Sequence, residues 1–159
     1  MAEIKTLAIV GAGSLGRSIA HAAAIAGYQT ILEDVLPASL RQAENELRGH
    51  LDQDIAQGRI SRADADFAFE RMEYAGTVEE AARRADLVIE AVPDEMESKL
   101  EIFILLDKIA KPHIILASTT VTFRVSEIGS HLPPAPDTGA ALFLSRRSAW
   151  KSCAPRANR

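Results

Sequence analysis

The stretch TLAIVGAGSLGRSIAHAAAIAG, residues 6–27, predicts the fold. Its first five residues are apolar or β-branched without interruption, which is typical of a strand covered on both faces of a sheet. A glycine-rich turn follows, and then Leu15, Ile19 and Ala23 recur at helical spacing. Strand, turn and helix in this order begin a βαβ unit, so we expect a parallel sheet.

The same alternation continues along the chain. Further strands are expected at 29–34, 86–92 and 113–118, with a weaker candidate at 73–76. The amphipathic segments between them predict helices, and two of these helices form a hairpin insertion at 37–71. We therefore predict an α/β fold, a doubly wound, Rossmann-type and mostly parallel sheet with helices on both faces.

The turn GAGSLG has the spacing G-x-G-x-x-G between a predicted strand and a predicted helix. Its first glycine allows a tight turn, its second lets a pyrophosphate approach the backbone, and its third lets helix and strand pack closely. The amino end of the helix also offers its amides to the phosphates. Six residues are therefore predicted to bind a dinucleotide: Gly11, Ala12, Gly13, Ser14, Leu15 and Gly16.

Asp34 ends the predicted second strand, 18 residues after Gly16. A carboxylate there accepts hydrogen bonds from the adenosine ribose hydroxyls and repels a 2′-phosphate, which favours NAD over NADP. Glu33 is the competing carboxylate, but strand alternation points it to the other face. FAD proteins share the glycine motif; the segment EAVPDEMESK, residues 90–99, at the ligand-binding rim favours a nicotinamide cofactor.

Three segments, at 8–35, 86–110 and 113–128, together resemble the NAD-binding domain of 3-hydroxyacyl-CoA dehydrogenases, over about residues 4–132. In that family the loop after the fourth strand reads E-A-x-x-E-x-x-x-x-K, and Asp94 stands here as a shortened replacement for the second glutamate. The resemblance implies that Asp94 and Lys99 lie near the nicotinamide. It adds five residues to the predicted NAD site: Ala91, Val92, Asp94, Lys99 and Thr119.

The resemblance also implies an acyl-CoA substrate, a role in fatty acid metabolism and, in the intact family, a homodimer. The hairpin at 37–71 would help to hold the coenzyme A portion. Arg59 and Arg62 could meet its phosphates there, or could simply be solvated.

The chain departs from the family where catalysis is expected. Thr119 replaces an asparagine, Val121 replaces the serine that touches the substrate hydroxyl, and Thr122 replaces the next serine. Valine forms no such hydrogen bond, and a threonine would substitute only if the backbone turned it inward. The family's catalytic histidine, in an H-F-F-N-P segment, has no counterpart. Of the four histidines, His21 is expected to be solvated, His50 to lie at the edge of a helical stripe, His113 to begin the fifth strand away from the ligand rim, and His131 to lie in a loop. We therefore assign no catalytic residue.

Charge divides the chain near residue 137. All 22 acidic residues precede Thr138, whereas five of the 18 Lys and Arg follow it. We predict a domain at 1–135 and a divergent basic tail at 136–159, expected to be disordered and explained by a frame change, a truncation or a segment that binds an acidic partner. The acidic body argues against nucleic acid. One Cys, and no apolar run near ~18 residues, suggest a cytoplasmic protein without a membrane span.

These observations lead us to expect an NAD-dependent dehydrogenase domain of the 3-hydroxyacyl-CoA type that binds NAD but turns over slowly or not at all. The alternative is a non-catalytic NAD-binding module or sensor that needs a partner chain. A third hypothesis is another nicotinamide enzyme on the same scaffold, such as a β-hydroxyacid dehydrogenase.

Overall fold

A computed structural model describes residues 3–111, 114–123 and 127–128 and the backbone of 142–143. Its centre is one parallel sheet with the strand order β3-β2-β1-β4-β5-β6. The strands are β1 Thr6–Val10, β2 Gln29–Glu33, β3 Met72–Ala75, β4 Leu87–Glu90, β5 Ile115–Ser118 and β6 Leu142–Phe143. From β1 the strands continue through β2 and β3 to one edge of the sheet, and from β4 through β5 and β6 to the other. The strand order therefore reverses between β1 and β4, which is where ligands bind in sheets of this topology.

Helices connect the strands as the hydrophobic periodicity predicts. They are α1 Ser14–Ile25, α2 Pro37–Ala56, α3 Arg62–Glu70, α4 Val78–Arg84 and α5 Met96–Ile109. The predicted hairpin at 37–71 corresponds to α2 and α3, and α3 begins with a capping box in which Ser61 and Asp64 each bond the other's backbone amide. None of the described helices is both long and apolar enough to cross a membrane.

The sheet is covered on both faces, which confirms the predicted fold class. Residues of even number in β1, Ala8 and Val10, pack with α4 and α5. Leu7 and Ile9 pack with α1 and α2 on the opposite face. Alternation along a strand thus supplies both layers, and each fully buried side chain of the size of Ile9 contributes about 1.5–3 kcal/mol.

The last described strand lies in the segment that was predicted to be a tail. Leu142–Phe143 pairs in parallel with β5, with Ala117 opposite Leu142 and Ser118 opposite Phe143. The prediction of a disordered tail from residue 136 does not include this strand pairing. The rest of 136–159 lies outside the described residues, so the domain boundary at 135 stays a prediction.

Candidate functional site

Two glycines of the 11–16 turn are required by the backbone itself. Gly11 has a φ of +105°, and a Cβ there would lie 2.8 Å from the carbonyl oxygen of Ala91. A Cβ on Gly16 would lie 1.9 Å from the carbonyl oxygen of Gly11, so only glycine lets α1 start this close to β1. The turn therefore sits tightly between β1, α1 and the loop after β4.

Gly13 is different, because a Cβ there would have none of the described heavy atoms within 4 Å. It is the N-cap of α1 in an extended conformation, with no side-chain cap and no acidic residue in the first helical turn among the described residues. The first amides of the helix therefore face open space together with the positive end of its dipole. This space suits a pyrophosphate, which needs both close backbone approach and amide donors.

Asp34 lies at the carboxyl end of β2, half-buried beside the glycine turn. Its Oδ2 accepts a hydrogen bond of 3.0 Å from the Ala12 amide, and its Oδ1 accepts one of 2.9 Å from the Leu36 amide. A carboxylate has about four lone-pair directions, so two acceptor positions remain for ribose hydroxyls. The residues present thus fit the adenosine diphosphate half of NAD.

Glu33 points away from Asp34, as strand alternation predicts. It pairs with Val10 in register, and Val10 belongs to the apolar cluster under α4. The side chain is 2% exposed, and its Oε1 has no hydrogen-bond partner among the residues that the structure describes. Burial, and then the nearby carboxylates of Asp34 and Glu79, raise the pKa of Glu33 to about 7. Glu33 is therefore a core carboxyl whose ionisation is disfavoured by burial, and it does not face the rim.

A cavity of about 520 Å³ opens over the carboxyl ends of β1, β4 and β5. Eight predicted cofactor residues line it: Gly11, Gly13, Ser14, Leu15, Ala91, Val92, Asp94 and Thr119. Four others do not: Ala12, Gly16, Asp34 and Lys99. The prediction missed three lining residues, Ile19, Pro93 and Val121. Ile19 is one helical turn beyond Leu15, and this spacing could have revealed it.

Lys99 lies beneath the cavity, fully buried against Glu90. Its Nζ is 2.9 Å and 3.0 Å from the two carboxylate oxygens of Glu90 and 3.4 Å from Oδ1 of Asp94. Glu90 also accepts hydrogen bonds from the Ser118 hydroxyl at 2.6 Å and the Val92 amide at 2.8 Å. Lys99 thus ties β4, α5 and β5 together, and only through Asp94 does it reach the cavity wall.

Asp94 joins the loop after β4 to the loop after β5. Thr120 and Thr122 each donate a hydroxyl hydrogen bond of 2.7 Å to it, and the Val121 amide adds a weaker one at 3.4 Å. Burial raises the pKa of Asp94, but the hydrogen bonds from Thr122, Thr120 and Val121, together with Lys99, outweigh it and lower the pKa to about 2. Asp94 is therefore a carboxylate at any physiological pH and a poor general base.

The position of the family's substrate serine carries no donor. The Val121 side chain is 67% exposed and lines the cavity. The neighbouring hydroxyls of Thr120 and Thr122 are already directed at Asp94. Thr119 is buried at the cavity wall, and its amide donates a hydrogen bond of 3.0 Å to the carbonyl of Glu90. As placed, the hydroxyl protons of Thr120 and Thr122 are engaged by Asp94, so neither of these two threonines donates one to a substrate at Val121.

The expectation that His21 is solvated was wrong. His21 is half-buried between α1 and α2, where its ring stacks on that of His50 with centroids 5.1 Å apart. Its Nε2 is buried without a partner in the described part of the chain, and burial, with a smaller effect of His50, lowers its pKa. The helical wheel failed because α2, not solvent, covers this side of α1. His113 and His131 lie outside the described residues.

The hairpin carries a second groove of about 520 Å³ between α2 and α3. Arg62 lines it and lies 3.6 Å from Asp52, with both side chains 70% exposed. Arg59 forms an exposed ion pair with Asp54. Arg59 and Arg62 are thus each paired with an acidic neighbour at the surface, and neither side chain is buried in the groove.

Comparison with known proteins identifies this arrangement. The family model for the 3-hydroxyacyl-CoA dehydrogenase NAD binding domain matches residues 6–142. A probable 3-hydroxybutyryl-CoA dehydrogenase of Bacillus subtilis is 37% identical over 128 residues, which are 80% of this chain and 44% of that protein. A 3-hydroxybutyryl-CoA dehydrogenase of Bradyrhizobium diazoefficiens is 31% identical over 129 residues, again 44% of its length.

Solved structures agree with the sequence matches. The crystal structure of 3-hydroxybutyryl-CoA dehydrogenase from Escherichia coli has a TM-score of 0.82 and 26% identity, covering 89% of this chain and 30% of that one. The chain thus spans less than half the length of the curated relatives that it matches. Fold, glycine turn and sequence together show that the chain belongs to the 3-hydroxyacyl-CoA dehydrogenase NAD-binding domain family.

Proposed function

We propose that this chain binds NAD across the carboxyl ends of β1, β2 and β4, as the cofactor-binding part of a 3-hydroxyacyl-CoA dehydrogenase. The observation that carries the proposal is the open space at Gly13, where the amino end of α1 meets the cavity while Asp34 stands at the end of the next strand. Bound NAD would accept a hydride from C3 of a 3-hydroxyacyl thioester.

The chain's own residues would then divide the work of binding. The amides at Gly13, Ser14 and Leu15 would hold the pyrophosphate. Asp34 would accept from the adenosine ribose hydroxyls, and its charge would exclude a 2′-phosphate. Val92 and Asp94, which line the far side of the cavity, would contact the nicotinamide half.

None of these residues provides a base that could take the proton of the substrate hydroxyl. Oxidation of a hydroxyl needs a base beside it as the hydride leaves. Asp94, with its pKa of about 2, is too weak a base, and Val121 cannot orient the hydroxyl. This observation favours a second candidate function, a non-catalytic NAD-binding module or sensor that works with a partner chain. We propose that the chain alone turns over acetoacetyl-CoA slowly or not at all.

Calorimetric titration with NAD, NADP and FAD tests the binding proposal. We expect NAD to bind and NADP to bind at least about tenfold more weakly, since Asp34 meets the 2′-phosphate. Binding of FAD in preference to NAD, or no binding of NAD at millimolar concentration, would reject it. Reduction of acetoacetyl-CoA by NADH separates the two candidate functions, because brisk turnover by this chain would exclude the non-catalytic module.

A further inference from the structure

The backbone at Ala12 is held by charged side chains from two directions. Its amide donates to Asp34 at 3.0 Å. Its carbonyl accepts a hydrogen bond of 2.7 Å from Nη1 of Arg17. The Nε of Arg17 donates in turn to Oε2 of Glu46 on α2, also at 2.7 Å. The glycine turn is therefore connected through one guanidinium to the helical hairpin.

The carbonyl of Ala12 and the amide of Gly13 belong to the same peptide group. In a trans peptide these two groups point in opposite directions, so the residue that holds the carbonyl also sets the direction of the amide. Gly13 lacks a side chain to restrict its backbone, and such a peptide rotates easily unless something holds it. A rotated peptide would present the carbonyl oxygen, with its partial negative charge, where the amide now points.

Arg17 stands on the other side of the turn from the cavity. It lines a small pocket of about 30 Å³ between α1 and α2, whereas Gly13 lines the large cavity at the rim. The Arg17 side chain is only 20% exposed, and its ion-pair partner Glu46 is itself fixed by a hydrogen bond of 2.8 Å from Gln42. The guanidinium is thus anchored on α2 and acts on the turn from behind.

We infer that Arg17 is a positioning residue that presets the Gly13 amide for the pyrophosphate of the dinucleotide, with Glu46 as its anchor. This inference rests on the proposed binding of NAD. Arg17 touches the turn and not the ligand, so it acts through geometry, and it links the orientation of the phosphate-binding amides to the position of α2. Its removal weakens ligands that carry a pyrophosphate and spares ligands that carry none.

The test compares Arg17→Met with the unaltered chain for NAD, ADP-ribose and adenosine, the last by NMR titration because its binding is weak. Arg83→Met, an exposed arginine on α4, is the control with the same change of net charge. We expect Arg17→Met to weaken NAD and ADP-ribose alike by about tenfold, because a peptide that is no longer held must be oriented when the pyrophosphate binds, and to leave adenosine within twofold of its starting affinity. Arg83→Met should leave all three unchanged.

Three results would overturn the inference. The first is an NAD affinity of Arg17→Met within twofold of that of the unaltered chain, and the second is an equal weakening of adenosine binding. The third is a difference in NAD affinity between the two proteins that disappears at high salt, which would indicate that only the charge of Arg17 matters. Arg17→Lys keeps the charge but cannot bond Ala12 and Glu46 at the same time in the guanidinium geometry. We expect its NAD affinity to lie between that of the unaltered chain and that of Arg17→Met. If Arg17→Met does not fold, Arg17→Gln replaces it under the same criteria. Failure of the unaltered chain to bind NAD would reject the proposed function instead, since no variant enters that measurement.

Discussion

Lys99 and Glu90 form an ion pair from which solvent is excluded, with both side chains 0% exposed. The pair spans the start of α5 and the end of β4, directly under the wall of the cavity. Glu90 is further bonded by Ser118 and by the Val92 amide, so its oxygens are satisfied only as long as these elements stay together. The ion pair thus makes the rim of the site part of the core.

Removal of one partner of this pair should be more damaging than removal of both. Lys99→Met leaves the Glu90 carboxylate buried without its counter-charge, and we expect a loss of about 3–5 kcal/mol in the free energy of unfolding. The double variant Lys99→Met/Glu90→Gln buries no net charge and should be more stable than Lys99→Met. Urea denaturation of both measures this. Lys99→Met within about 1 kcal/mol of the unaltered chain, or a double variant less stable than Lys99→Met, would show that the buried pair does not stabilise the fold in this way.

The glycines of the turn should separate stability from binding. Gly16→Ala places its Cβ 1.9 Å from a carbonyl oxygen, and overpacking of this kind should cost about 2 kcal/mol or more. Gly13→Ala meets open space in an extended conformation, so its stability should stay within about 1 kcal/mol. Its NAD affinity should nevertheless fall by about tenfold, because the methyl group occupies the pyrophosphate space. Equal NAD affinity for Gly13→Ala and the unaltered chain would place the phosphates elsewhere.

Glu33 should make the fold less stable as the pH rises. Its folded-state pKa of about 7 exceeds the ordinary value of 4.5, so the protonated form is favoured by folding. Its contribution to stability is therefore complete below about pH 4.5 and is lost as the pH passes 7, by up to roughly 3 kcal/mol. Glu33→Gln removes this loss, so its stability relative to the unaltered chain should rise between pH 5 and pH 8.

Denaturation curves at both pH values provide the measurement. His21, whose lowered pKa acts in the opposite direction over this range, is present in both proteins and drops out of the difference. Glu101→Gln, at an exposed position of α5, is the control and should show no such trend. A relative stability of Glu33→Gln that does not change with pH would show that Glu33 is ionised in the fold.

Asp34 should decide between the two nicotinamide dinucleotides. Asp34→Asn keeps an acceptor for the Ala12 amide but loses the charge, so we expect NAD to bind about tenfold more weakly and the preference over NADP to shrink. Calorimetry with both dinucleotides checks this, with Asp107→Asn, exposed on α5, as the control. An unchanged ratio of the two affinities would remove Asp34 from the ribose site.

Much of this arrangement could be predicted because it is local. The glycine spacing and the apolar strand before it indicate the turn, and alternation along β2 places Glu33 and Asp34 on opposite faces. Strand ends were predicted one or two residues too long: 86–92 corresponds to Leu87–Glu90, because Ala91 and Val92 already leave the sheet to line the cavity.

The contacts that could not be predicted join residues far apart in the chain. Arg17 and Glu46 are 29 residues apart, and Asp94 and Thr122 are 28 apart. Lys99 was expected at the cofactor from its place in a motif, but a spacing of nine residues from Glu90 does not reveal that both are buried together. Such partners depend on how helices pack on the sheet, which periodicity in a single element does not contain.

The most direct test of the central claim is a crystal structure of this chain with NAD. We expect the pyrophosphate against the amides of Gly13, Ser14 and Leu15, the adenosine ribose within hydrogen-bond distance of Asp34, and the nicotinamide in the cavity lined by Val92 and Val121. Well-ordered nucleotide density anywhere else, such as in the groove between α2 and α3, would contradict it.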